Sequence, residues 1–214
     1  MSTEPQHNPP PNTVDLNGRA MDNIAFIRET MERSASFTAV PGRGMMAMGG
    51  VALIGSWAAT WSGSAEGWLW SWLAIAVIGC AAGMVTLATK CRHEYGTVLA
   101  APARRFALNL APPILAGAVL TEVFERAGSY DLMPGTWLLL YGVAVVTAGA
   151  FSVPIVPLMG LTFTLLGTLL LLCPMAIQQL ALFGHFTFAD AALALGFGGL
   201  HLVYGALIAL RHGG

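Results

Sequence analysis

Near the middle of the last apolar stretch of this sequence, residues 190–210, stands one ionisable side chain, His201. An imidazole can relay a proton or hold a solute, and in hydrocarbon it needs hydrogen-bond partners that the surroundings do not supply. It must therefore face protein or water. Four other residues could share such handling: Asn109, Glu122, Thr164 and Thr168. Thr164 and Thr168 are one helical turn apart and at a depth similar to His201, so they are possible partners for its ring. A carbonyl released by Pro112-Pro113 is another. Glu122 and Glu125 share a face near the end of their stretch, where water would solvate them, and Asp190 is placed as the N-cap of the last stretch.

Other chemistries find little support. Cys91-Arg92-His93-Glu94 offers three ligand types, but a single Cys-x-His without a second pair is a poor metal signal. His-Glu-x-x-His, Gly-x-Ser-x-Gly and phosphate-loop patterns are missing from the 214 residues. No nucleophile stands beside an obvious base. The reading is of no catalytic residue, no metal and no cofactor. Cys80, Cys91 and Cys173 lack paired spacing and are expected to be unbridged, small apolar core residues.

The elements that must position these side chains follow from composition. Hydrophobic residues make up 56% of the chain and charged ones 10%, and a chain so poor in polar surface needs lipid as its solvent. The net charge of −1 leaves no basic field for nucleic acid. A bilayer core about 30 Å thick takes about 20 apolar residues per helix. Six stretches fit, near 44–61, 68–89, 105–124, 136–152, 155–175 and 190–210. The fold class is thus an all-α integral membrane bundle of about six transmembrane helices. Ser152-Val153-Pro154 separates the fourth and fifth, and proline there favours a tight hairpin over one continuous helix. The proline-rich residues 1–20 read as a disordered cytoplasmic tail. Residues 22–38 read as a short amphipathic helix, capped by Asp22 and anchored by Phe26 and Phe37 on the membrane or on the bundle.

Lys and Arg are retained on the cytoplasmic side of short loops. With both termini inside, nine of the ten cations are cytoplasmic, and Arg126 is the exception. All six tryptophans cluster toward the opposite side, as ring preference for the interface requires. Helix association in lipid relies on small residues. Gly79 and Gly83, four apart, and Gly198 and Gly199 are expected at packing surfaces within the chain, in a homodimer, or against a membrane-protein partner. Pro112-Pro113 should kink the third span.

Four segments carry a resemblance: 26–44 (FIRETMERSASFTAVPGRG), 112–120 (PPILAGAVL), 138–160 (LLLYGVAVVTAGAFSVPIVPLMG) and 196–205 (GFGGLHLVYG). Over residues 22–214 the chain resembles an uncharacterised family of bacterial six-span inner-membrane proteins, sometimes encoded beside a small winged-helix regulator. That resemblance implies a regulated envelope or stress role and carries over no functional residue. The favoured reading is a non-catalytic sensing, scaffolding or accessory bundle. The alternatives are a small-solute transporter or channel using the third span and His201, and an intramembrane enzyme.

Overall fold

The computed structural model describes residues 18–27, 37–98 and 100–212. They fall in two units, residues 1–35 and 36–214. In the first, 18–27 form a helix (α1) that starts ahead of Asp22 and takes in 18–20, which composition assigned to the tail. Residues 1–17 of that tail, and 28–36 of the expected amphipathic helix, lie outside the described residues. The expectation that this helix runs on to residue 38 is corrected. Phe37, already in the second unit, makes a parallel bridge to Ser152 of the same unit and is extended rather than helical.

The second unit is helical apart from one small hairpin. Its helices are α2 (Gly42–Ala59), α3 (Ala65–Tyr95), α4 (Ala101–Ala127), α5 (Met133–Gly149), α6 (Ile155–Leu172), a single turn α7 (Met175–Gln178), α8 (Phe188–Leu193) and α9 (His201–His212). Strands β1 (Ala181–Phe183) and β2 (Phe186–Thr187) pair antiparallel between α7 and α8, with Gly184 in the turn at φ 57°. Five helical stretches are long and apolar enough to cross a membrane: Ala65–Tyr95, Ala101–Ala127, Tyr130–Gly149, Ile155–Leu172 and Phe188–Arg211. This is the makeup of a multi-pass membrane protein. With its 18 residues, α2 has the length but carries five glycines and Arg43, and it falls outside the apolar group.

The last apolar stretch is not one regular helix. Between α8 and α9, residues Ala194–Leu200 wind as a π-helix, whose wider turn takes one more residue than an α-turn. The sequence there, Ala-Leu-Gly-Phe-Gly-Gly-Leu, is rich in the residue with the weakest hold on α-geometry.

Glycine spacing explains the tightest pairing. Gly135, Gly142 and Gly149 on α5, and Gly160 and Gly167 on α6, recur every seven residues, so each set lies along one stripe of its helix. A Cβ on Gly160 would stand 2.8 Å from the Gly142 carbonyl oxygen, and one on Gly167 2.7 Å from that of Gly135. The backbones touch, as membrane helices with small residues at the seam allow. Where α2 meets the last stretch, a Cβ on Gly49 would lie 2.7 Å from the Gly198 oxygen. The expected packing glycines behave differently from one another. Gly198 faces the Leu53 side chain, Gly83 the flexible end of Met48, and Gly199 only Leu195 of its own helix; a Cβ on Gly79 would meet nothing within 4 Å.

Helix α4 runs through Pro112 and Pro113. Pro113 has no N–H for the carbonyl of Asn109 one turn back, and the Thr147 hydroxyl on α5 donates to that oxygen at 3.0 Å. At the cation-rich end, residues 37–40 form a strap. The Phe37 N–H donates to the Phe151 oxygen (2.7 Å), and the Ser152 hydroxyl to the Phe37 oxygen (2.8 Å). The Phe37 ring, fully buried, lies between Tyr95 and Phe106, and Lys90 donates to the Val40 oxygen at 3.1 Å. The three cysteines are free; Cys91 is buried, but Cys80 is exposed, which corrects its placement in the core. Its outward face suits a lipid-bathed helix surface, where a thiol behaves as a small apolar group.

Candidate functional site

His201 begins α9 just after the π-turn and is 2% exposed. Its Nε2 lies 2.7 Å from the Tyr141 hydroxyl on α5. The partner is thus neither Thr164 nor Thr168, whose hydroxyls bond carbonyls one turn back on α6 (Gly160, 2.9 Å; Thr164, 2.8 Å). Nor is it a proline-released carbonyl, since Thr147 takes the one at Asn109. Aromatic rings enclose the pair. Tyr141 meets Phe163 edge-on at 4.8 Å and Phe197 at 5.2 Å, and the His201 ring sits 5.4 Å from Phe163. Nδ1 of His201 has no hydrogen-bond partner, although the carbonyls of Phe197 and Gly196 approach the ring from the π-turn.

The other expected handling residues do not converge on His201. Asn109 donates to the Arg105 carbonyl on its own helix (2.8 Å). Glu122 is an exposed partner of Arg126 at 2.6 Å. No group of three or more His, Cys, Asp or Glu able to hold a metal occurs among the described residues.

A second constellation, unforeseen in the sequence, lies at the tryptophan-rich end. Three segments far apart in the chain, 59–65, 130–134 and 178–190, line one cavity of about 550 Å³. Asp190 is 4% exposed there. It is not the N-cap: Thr187 is, and Asp190 closes a reciprocal capping box with it three residues on. One carboxylate oxygen accepts from the Thr187 N–H (2.9 Å) and hydroxyl (2.8 Å), which frees the other to accept from the indole N–H of Trp68 (2.8 Å). Trp68 stacks on Trp137 with ring centres 5.7 Å apart, and Trp137 donates to the Thr121 hydroxyl at 2.8 Å. The cavity floor is therefore pinned to α3, α4, α5 and α8. Asp131, in a one-turn 3-10 helix (Tyr130–Leu132), also lines the cavity, and one of its buried oxygens has no donor. Trp61, 69% exposed, and Tyr130 add aromatic wall.

Chemically, the mid-bundle pair is a single hydrogen bond enclosed by aromatic rings. The cavity is open, mostly apolar in its lining with a few polar groups, and large enough for a small molecule. The clustering of the tryptophans at one end was visible in the sequence; the Thr187–Asp190 capping box and the convergence of three segments were not. No family model, curated protein or solved structure matches the chain.

Proposed function

We propose that this is a six-span protein of the bacterial inner membrane, both termini cytoplasmic, that binds a small solute at its external end. It acts as a non-catalytic sensing or accessory protein. The observation that carries the reading is the 550 Å³ vestibule, which segments 59–65, 130–134 and 178–190 line together. Those segments are the three that an even, six-span topology puts on the external side. The strap at 37–40 meets Tyr95 and Phe106, and the turn at 151–152, at the other end, which supports the same topology. In this reading α2 is the first span, held by its close approach to α9: a Cβ on Gly205 would stand 2.8 Å from the Gly42 oxygen.

Binding is favoured over conduction because interior polar groups are committed in pairs: Tyr141 with His201, Thr162 with Tyr204 (2.9 Å), Thr147 with the Asn109 carbonyl. Transport generally draws on ionisable groups at mid-depth that exchange partners. A transporter reading rests on one feature, the unpartnered Nδ1 of His201 beside a π-turn. The test is mass spectrometry of small molecules retained by the purified wild type and by Ala65→Trp, which places an indole at the exposed rim of the vestibule. A solute held by the wild type and by His201→Gln but lost from a folded Ala65→Trp is the expected result. Identical retention in all three, or solute movement across reconstituted vesicles, would overturn the reading.

A further inference from the structure

We infer that the solute of the vestibule is a small monovalent organic cation, of the quaternary ammonium or alkylamine class. This rests on the vestibule being the solute site. The lining carries two carboxylates, Asp131 and Asp190, against one histidine, His185, and among the described residues no lysine or arginine. Asp190 is answered by neutral donors only, the Trp68 indole and Thr187. Asp131 has a buried oxygen answered by none. The cation nearest to it in sequence, Arg126, is engaged by Glu122 at 2.6 Å. A neutral or anionic solute would leave this charge uncompensated, whereas a cation in the cavity compensates it through space without touching the buried oxygen. The walls select among cations. Trp61, Trp68 and Tyr130 line the cavity, and aromatic faces attract weakly hydrated organic cations. A hard divalent ion instead needs several converging oxygen ligands, and no three acidic, His or Cys side chains gather among the described residues.

The full chain in maltoside, free of choline lipids, would be titrated with choline and with its uncharged isostere 3,3-dimethylbutan-1-ol, following tryptophan fluorescence and calorimetry. Choline should saturate, and the isostere should bind about tenfold more weakly or less. Asp131→Asn, which removes charge but breaks no hydrogen bond of that buried oxygen, should weaken choline by about fivefold and leave the isostere unchanged. Trp61→Ala should weaken choline as well. Equal affinity for choline and isostere, or binding of neither, overturns the cation assignment. Choline affinity unchanged in both Asp131→Asn and Trp61→Ala also overturns it, by placing the bound ion elsewhere. The retained-solute comparison with Ala65→Trp decides the vestibule reading separately.

Discussion

Replacing Gly160 with alanine should destabilise the protein, while the same change at Gly79 should stabilise it. The added methyl at Gly160 would lie 2.6 Å from the backbone nitrogen of Val146 and 2.8 Å from the Gly142 oxygen. Ordinary contact begins at 3.4 Å, and the opposing atoms are backbone, so the two helices must part along the seam. Overpacking of this kind costs about 1–3 kcal/mol. Alanine's helix preference returns about 1 kcal/mol, leaving a net loss of up to about 2 kcal/mol, at the upper end because the opposing atoms are backbone and cannot turn aside. At Gly79 the methyl meets nothing within 4 Å, so the propensity gain stands alone. Unfolding of the maltoside-solubilised protein, by heat or by titration with a denaturing detergent, should rank Gly79→Ala above wild type and wild type above Gly160→Ala. Gly142→Ala should fall with Gly160→Ala, because the two glycines oppose each other. If Gly160→Ala unfolds at or above the wild-type midpoint, backbone contact does not hold α5 to α6 and the reasoning fails.

Tyr141→Phe should cost about 1 kcal/mol, the size of an interhelical side-chain bond in a membrane bundle. His201→Gln should preserve more stability than His201→Leu, and a double-mutant cycle with near-zero coupling would dissolve the Tyr141–His201 pair. Phe37→Ala removes a fully buried ring and should cost about 3–5 kcal/mol in the same unfolding assay; a loss below 1 kcal/mol would mean that the strap lies loosely. Reporter fusions after residues 64, 130 and 187 should read external and those after 97 and 214 cytoplasmic, and a cytoplasmic signal at 187 would break the six-span reading.

Helix positions were legible because apolar stretches and their charged breaks are written locally. The predicted break at Ser152-Val153-Pro154 falls between α5 and α6, where the structure turns. The α5–α6 seam was legible too, but only at a period of seven; a search for four-residue spacing leads to Gly79 and Gly83 instead. His201 was visible by its depth, yet Tyr141 was hidden because a tyrosine in an apolar run reads as aromatic bulk until its hydroxyl has a direction. The vestibule could not be read locally. Its three segments are separated by two helices each time, and the pairing of Asp190 with Trp68 spans 122 residues. The π-turn leaves only a glycine-rich trace, since a register change of one residue alters no periodicity that a short window can register.

The strap carries a consequence for how the chain is made. Phe37 leaves the ribosome early, but the turn that receives its backbone follows 115 residues later. At ordinary synthesis rates that interval is roughly 6–23 s. During it, Tyr95 and then Phe106 become available, so the ring can find its pocket between α3 and α4 before the backbone finds Phe151 and Ser152. The strap therefore closes in two stages, and the second cannot occur until the α5–α6 hairpin has left the insertion machinery. A chain stalled before residue 151 would hold the strap only by its contacts to α3 and α4, the Phe37 ring with Tyr95 and Phe106 and the Lys90 bond to the Val40 oxygen, without either backbone anchor at Phe151 and Ser152.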